Sequence, residues 1–142
     1  MKVTVYHQVS FFEMDPMNVV WHGNYLNFFE KARAELIQKI GLTYTTMAEM
    51  GHIWPVVKLR CKYKKSAVLN QKLAITAELK DYTNSLTIAF TIRDAETQEL
   101  LTSGETMQMA VDIQTGRTDL VNPGYFIELV KKALAAEEKK ES

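Results

Sequence analysis

Asp15-Pro16-Met17-Asn18-Val19-Val20-Trp21-His22-Gly23 runs straight into Asn24-Tyr25-Leu26-Asn27-Phe28-Phe29-Glu30-Lys31-Ala32-Arg33-Ala34-Glu35-Leu36-Ile37-Gln38-Lys39-Ile40-Gly41, and this stretch decides the fold. Its second part reads as the strongest helix in the chain, over about residues 24–40. Tyr25, Phe28, Phe29, Ala32, Leu36 and Ile40 recur at helical spacing and form one apolar stripe. Asn24 is suited to cap the start, and Gly41 to end it. Glu30, Lys31, Arg33, Glu35 and Lys39 are assigned to the polar face. The segment before it, residues 13–23, holds the turn pair Asp15-Pro16 and Gly23 and reads as a loop.

On either side of this loop and helix the pattern changes to alternation. Residues 3–12 read as a strand with Val3, Val5, His7, Val9 and Phe11 on one face. A short helix is expected near Tyr44–Met50, with Thr43 before it and Gly51 after it. Four strands follow. In residues 56–64, Val57, Leu59, Cys61 and Tyr63 alternate with Lys58, Arg60, Lys62 and Lys64. In 71–82 the shared face is Leu73, Ile75, Ala77 and Leu79, and in 85–94 it is Leu86, Ile88, Phe90 and Ile92. In 99–112, Leu101, Ser103, Glu105, Met107, Met109 and Val111 share one face; Leu100, Thr102, Gly104 and Thr106 share the other. Asn70, Thr83-Asn84 and Asp94 to Gln98 mark the turns. Asn122-Pro123 then opens a C-terminal helix, read as a cap followed by proline at the first position. The tail Glu137 to Ser142 reads as a solvated end.

Consecutive strands with short connections imply an antiparallel sheet. The long apolar helix must bury its stripe against that sheet. The fold class is therefore α+β: about five antiparallel strands wrapped around a long central helix, with a C-terminal helix, as one domain over 1–142. Such a sheet leaves edges exposed, which implies at least a homodimer. Hydrophobic residues make up 46% and charged residues 24%, with 17 basic and 17 acidic side chains. This zero net charge argues against a dedicated nucleic-acid binder. No run is long enough for a membrane helix, and the N-terminus does not read as a signal peptide. Cys61 is the single cysteine, so no internal disulfide can form, which fits the cytoplasm. His7, His22 and His52 lack metal-ligand spacing, so no metal or other cofactor is expected.

The segment from Phe12 to Tyr25, with Phe28-Phe29-Glu30-Lys31-Ala32-Arg33 after it, resembles the signature of the 4-hydroxybenzoyl-CoA thioesterase family. That signature is roughly Asp-x-x-Gly-x-Val, then a Tyr or His region, then Asn-Tyr opening a long helix. The element order also resembles that family's hotdog fold over about residues 3–112. Two departures stand out. The family's glycine three residues after the aspartate is Asn18 here, the best non-glycine substitute where the backbone needs positive φ. The arginine-rich turn that grips CoA phosphates in some relatives reads Asp81-Tyr82-Thr83-Asn84-Ser85 here.

The resemblance implies hydrolysis of acyl-CoA to free acid and CoA, with Asp15 as general base or as nucleophile through a mixed anhydride. Hydrolysis also needs donors for the carbonyl oxygen. Helix-start amides around His22, Gly23 and Asn24 lack intrahelical partners and carry the positive end of the macrodipole. Such donors are worth roughly 3–4 kcal/mol each in other enzymes. The resemblance places His22 at the site through its amide, with its ring as a second candidate to orient the carbonyl or Asp15, Gly23 as the point of close backbone approach, and Tyr25 beside them as a substrate-binding or packing residue. Lys58, Arg60, Lys62 and Lys64 are either a solvated strand face or contacts for CoA phosphates. Cys61 reads as core. Glu30 is a solvated or interface charge, or a helix carboxylate of the kind some hotdog enzymes use. Met47, Met50, Met107 and Met109 read as core or acyl-pocket lining; Trp21, Trp54 and Tyr63 are further candidates for that lining. The family implies a dimer or a tetramer. Open alternatives are hydrolysis of acyl groups from acyl carrier protein, hydration or dehydration of acyl thioesters, and a non-catalytic acyl-thioester-binding module.

Overall fold

A computed structural model describes residues 1–141. The chain runs β1 (Lys2–Gln8), a 3-10 turn (Phe11–Glu13), α1 (Asn24–Ile40), α2 (Tyr44–Glu49), β2 (His52–Ile53), β3 (Val56–Tyr63), β4 (Lys72–Asp81), β5 (Leu86–Asp94), β6 (Leu100–Gln108), β7 (Val111–Asp112) and α3 (Gly124–Glu141). Five strands form one antiparallel sheet in the order β1-β4-β5-β6-β3; β2 and β7 make a separate two-stranded ladder. The solvated tail expected from Glu137 is helix as far as Glu141, and Ser142 lies outside the described residues.

The core is built where the two periodicities meet. Leu73, Ile75 and Ala77 on β4 and Leu86, Ile88, Phe90 and Ile92 on β5 are buried, as their alternation requires. The α1 stripe covers them, with the Phe29 ring stacked on Phe90 at 4.5 Å. On β6 the face turned to α1 is the more polar one: Thr102, Gly104, Thr106 and Gln108 are buried, while Ser103, Glu105 and Met107 are half-buried. The helix explains this. A Cβ on Gly104 would lie 2.8 Å from both the Phe29 ring and the Arg60 carbonyl oxygen, so the ring needs a glycine beneath it.

Several sequence expectations change in the tertiary structure. Arg33, assigned to the polar face of α1, is 2% exposed. Its guanidinium pairs with Glu30, donates to Thr106 Oγ1 at 2.7 Å and sits 5.6 Å from the centre of the Phe90 ring. Burial lowers its pKa. Phe11, expected on the inner face of the first strand, is 82% exposed, because the chain leaves the sheet at Val9 and turns. Met50 is exposed rather than core, whereas Met47 is fully buried. Cys61 is half-buried because β3 is an edge strand; burial still raises its thiol pKa, which disfavours the thiolate.

The helix caps also differ. Gly23 occupies the N-cap position of α1 and Asn24 is its first helical residue. Asn122 is buried and serves as a latch rather than a cap: it accepts from Trp54 Nε1 at 3.2 Å and donates to the carbonyls of Tyr82 (2.8 Å) and Ser85 (2.9 Å). Thr43 and Gly41 act as expected. Thr43 accepts from the Thr46 amide, and Gly41 takes φ 99° at the end of α1. No described helix is long and apolar enough to cross a membrane.

Candidate active site

The loop between the 3-10 turn and α1 is a small closed structure. Met14 and Val20 form an isolated antiparallel bridge, and the Asp15 amide donates to the Val19 carbonyl at 2.8 Å. Asn18 closes the tip with φ 62°, the left-handed conformation expected for the residue standing in place of glycine. Asp15 is half-buried. Its Oδ1 accepts from the Met17 amide at 2.8 Å, which orients the carboxylate, while Oδ2 has no hydrogen-bond partner among the described residues. One oxygen therefore holds the turn and the other is available for chemistry. The space beside it, about 520 Å³, is lined by Phe11, Phe12, Met14, Asp15, Asn18, Val68 and Leu69.

The return arm of the loop leads into the helix start. The Trp21 amide donates to Glu13 O, and the Asn24 amide to Trp21 O, both at 2.9 Å. The Asn24 amide is thus already committed, and its side chain donates to Glu13 O at 2.9 Å. The amides of His22 and Gly23 have no acceptor among the described residues. The Trp21 ring occupies the space over Gly23: a Cβ there would fall 2.3 Å from the indole. Gly23 thus leaves room for the Trp21 ring, itself 49% exposed, to lie against the backbone at this point.

The other sequence candidates separate into pillars and surface. Tyr25 is buried with its hydroxyl accepting the Ala67 amide at 3.0 Å, so it supports the loop from inside; burial raises its pKa. Tyr63, edge-on to Tyr25 at 5.1 Å, donates to the His22 carbonyl at 3.1 Å. Desolvation first, then Cys61 beside it, pushes the Tyr63 phenol up to about 12, so it stays a donor. The His22 side chain is exposed with its ring 5.3 Å from Trp21. Lys58, Arg60 and Lys62 on β3 and Lys64 just past its end are exposed, with Arg60 3.7 Å from Glu105. Trp54 is core. Glu30 lies outside the Asp15 loop and lines a separate apolar hollow of about 240 Å³ with Leu26, Phe29, Arg33, Val56 and Leu59.

Sequence reasoning passed over Glu13 and its partner His7, whose ring nitrogen Nε2 lies 2.8 and 3.0 Å from the Glu13 oxygens. A signal was present. Ser10-Phe11-Phe12-Glu13 has capping-box spacing, and the Ser10 amide does donate to Glu13 Oε1 at 2.8 Å.

A long helix wrapped by an antiparallel sheet, with a carboxylate loop feeding the helix start, defines a hotdog-fold protein. Residues 9–135 match the family model described as the thioesterase-like superfamily, and the chain belongs to that family. The acyl-CoA thioesterase YbgC of Haemophilus influenzae is 30% identical over 112 residues, covering 78% of this chain and 79% of YbgC. The crystal structure of DHNA-CoA thioesterase from Staphylococcus aureus superposes with a TM-score of 0.83 at 27% identity, over 98% of this chain and 95% of that one. A 4-hydroxybenzoyl-CoA thioesterase, crystallised as an Asp-to-Asn mutant with 4-hydroxybenzoyl-CoA, shares the fold: its TM-score is 0.78 at 20% identity, over 90% of this chain and 97% of that one. The chain's match spans about six-tenths of the length of the first curated relatives.

Proposed function

We propose that the protein hydrolyses acyl-CoA thioesters, with Asp15 as general base or nucleophile and the His22 and Gly23 amides as the oxyanion hole. The observation that carries this reading is one short loop bearing both parts of the chemistry: a carboxylate with one oxygen free and two amides without acceptors among the described residues, at the start of α1. As base, Asp15 takes a proton from the water that attacks the carbonyl carbon. The C–S bond then breaks and the leaving thiolate takes up a proton. As nucleophile, it forms the mixed anhydride that water then cleaves. In either route the developing oxyanion points at donors oriented before reaction. The family, and relatives named as acyl-CoA thioesterases, support the substrate class.

Tyr63 ties the end of β3 to the loop, and the exposed Lys62 and Lys64 on either side of it belong to the proposal as contacts for CoA phosphates. Arg60 and Lys58 continue the row at about 3.3 Å per residue. The β3 edge also exposes Val56, Val57, Leu59 and Tyr63, an apolar row suited to pairing with a second copy, so a homodimer, and a tetramer built from it, belong to the same proposal. A free, half-buried Cys61 suits a cytoplasmic setting.

The test is release of free thiol from short, long and aromatic acyl-CoAs by the full chain, beside Asp15→Asn. The wild type turns over at least one class, and the variant falls by about 100-fold or more. Undiminished turnover in a folded Asp15→Asn protein refutes the assignment of Asp15; folded wild type that releases no thiol from any class refutes the activity.

A further inference from the structure

We propose that Glu13, gripped by His7, is a positioning residue that sets the spacing between Asp15 and the His22 and Gly23 amides. The inference rests on the reading of those groups given above. Glu13 is a carboxylate only 9% exposed, and it ties three segments together. Its side chain accepts from the Ser10 amide at 2.8 Å and from His7 on β1 at 2.8 and 3.0 Å. Its backbone carbonyl accepts from the Trp21 amide and from Asn24 Nδ2, both at 2.9 Å. Asp15 lies two residues beyond this knot on the outgoing arm. The His22 and Gly23 amides follow Trp21 directly on the return arm. Glu13 thus joins both arms of the loop to the sheet.

The ring of His7 is itself oriented. It packs on Phe28 of α1 at 4.8 Å, and Lys31 Nζ lies 3.5 Å from Nδ1 and 3.4 Å from the Tyr6 carbonyl. With Lys31 donating to Nδ1, the hydrogen sits on Nε2 and is given to Glu13. A purely apolar plug at position 13 would fill the space and leave the Ser10 amide and His7 without an acceptor, releasing the loop from β1. Misplacement of reacting groups by about 1 Å costs up to about 100-fold in rate, so this knot acts on turnover rather than on substrate affinity.

The test uses the full chain carrying Glu13→Ala, Glu13→Gln, His7→Ala and the double variant His7→Ala/Glu13→Ala. Kinetics are run on an acyl-CoA that the wild type hydrolyses. Acrylamide quenching of Trp21 is read in a Trp54→Phe background, where Trp21 is the remaining tryptophan. Glu13→Ala is expected to lower kcat by about tenfold or more while KM changes by less than about threefold. Trp21 becomes more readily quenched. Glu13→Gln keeps an oxygen acceptor and restores both signals to within about threefold, and the double variant is no worse than Glu13→Ala alone, because the His7 link is already lost there. Should Trp54→Phe fail to fold, hydrogen exchange of a peptide spanning residues 13–24 replaces the fluorescence signal.

A folded Glu13→Ala protein with parental kcat and an unchanged loop signal overturns the proposal. So does a loss carried by KM alone, or one that Gln does not restore. Full turnover in Asp15→Asn refutes the catalytic role of Asp15 instead, and the loop signal of Glu13→Ala still decides the positioning.

Discussion

Asn18 offers a clean measurement of how firmly the Asp15 loop is held. The residue is exposed and its side chain makes no hydrogen bond among the described residues, so replacing it removes almost no packing. What it supplies is a backbone with φ 62°, closed by its own amide donating to the Asp15 carbonyl at 3.1 Å. The left-handed region costs an ordinary L-residue about 1–2 kcal/mol, and β-branched side chains sit at the top of that range. Glycine escapes the penalty but loses about 0.4–1 kcal/mol through a freer unfolded chain. Asn18→Gly is therefore expected close to wild type, Asn18→Ala about 1 kcal/mol less stable, and Asn18→Val about 2 kcal/mol less stable. Urea unfolding with an unchanged m-value reads these differences as midpoint shifts. If Val and Gly variants agree within about 0.5 kcal/mol, the loop leaves the left-handed conformation without cost, and the account of a pre-set Asp15 turn is wrong. Turnover supplies the second readout, because a loop that relaxes to accommodate valine moves Asp15, and kcat falls further than stability alone explains.

Three further predictions follow from the core and the turns. Gly104→Ala places a methyl against the Arg60 carbonyl and the Phe29 ring, and is expected to destabilise by about 1–3 kcal/mol in thermal or urea melts; combining it with Phe29→Leu costs less than the sum, since the ring is half of the clash. Tyr25→Phe strips the acceptor from the buried Ala67 amide and lowers stability by about 1–3 kcal/mol. Asp94 carries a pKa lowered to about 2 by Gln71, then by the Thr97 and Glu96 amides. Because the folded value lies below the unfolded one near 3.9, its contribution is present above about pH 4 and disappears as pH falls toward 2. Asp94→Asn is expected to flatten that part of the acid unfolding curve.

Several structural elements were legible because their causes are local. The α1 stripe, its Gly41 stop, the Thr43 cap, the alternation of β4 and β5 and the positive φ at Asn18 each depend on residues a few positions apart. The loop and the helix-start amides are placed by the same kind of signal, whereas the role expected of Asp15 comes from the family resemblance of the Phe12–Tyr25 segment. Which amides stand without acceptors was not legible. Asn24 looked like a cap, and its commitment to Trp21 O and Glu13 O depends on how the loop folds back on itself.

Arg33 and β3 mark the boundary most clearly. The sequence assigns Arg33 to the polar face of α1; the presence of Thr106, Glu30 and the Phe90 ring around it turns that polar position into a buried one. The alternation of β3 is that of a half-buried strand, yet its place at the sheet edge leaves Leu59 and Val57 about half exposed. The sequence by itself determined the helices and the five strands of the main sheet in their chain order, because hydrogen-bond and apolar periods act over a few residues, but not the 3-10 turn or the β2–β7 ladder. Only the tertiary structure decided strand order, the His7–Glu13 knot and the Trp21 cover over Gly23, because each joins groups whose meeting depends on register and loop closure rather than on sequence spacing.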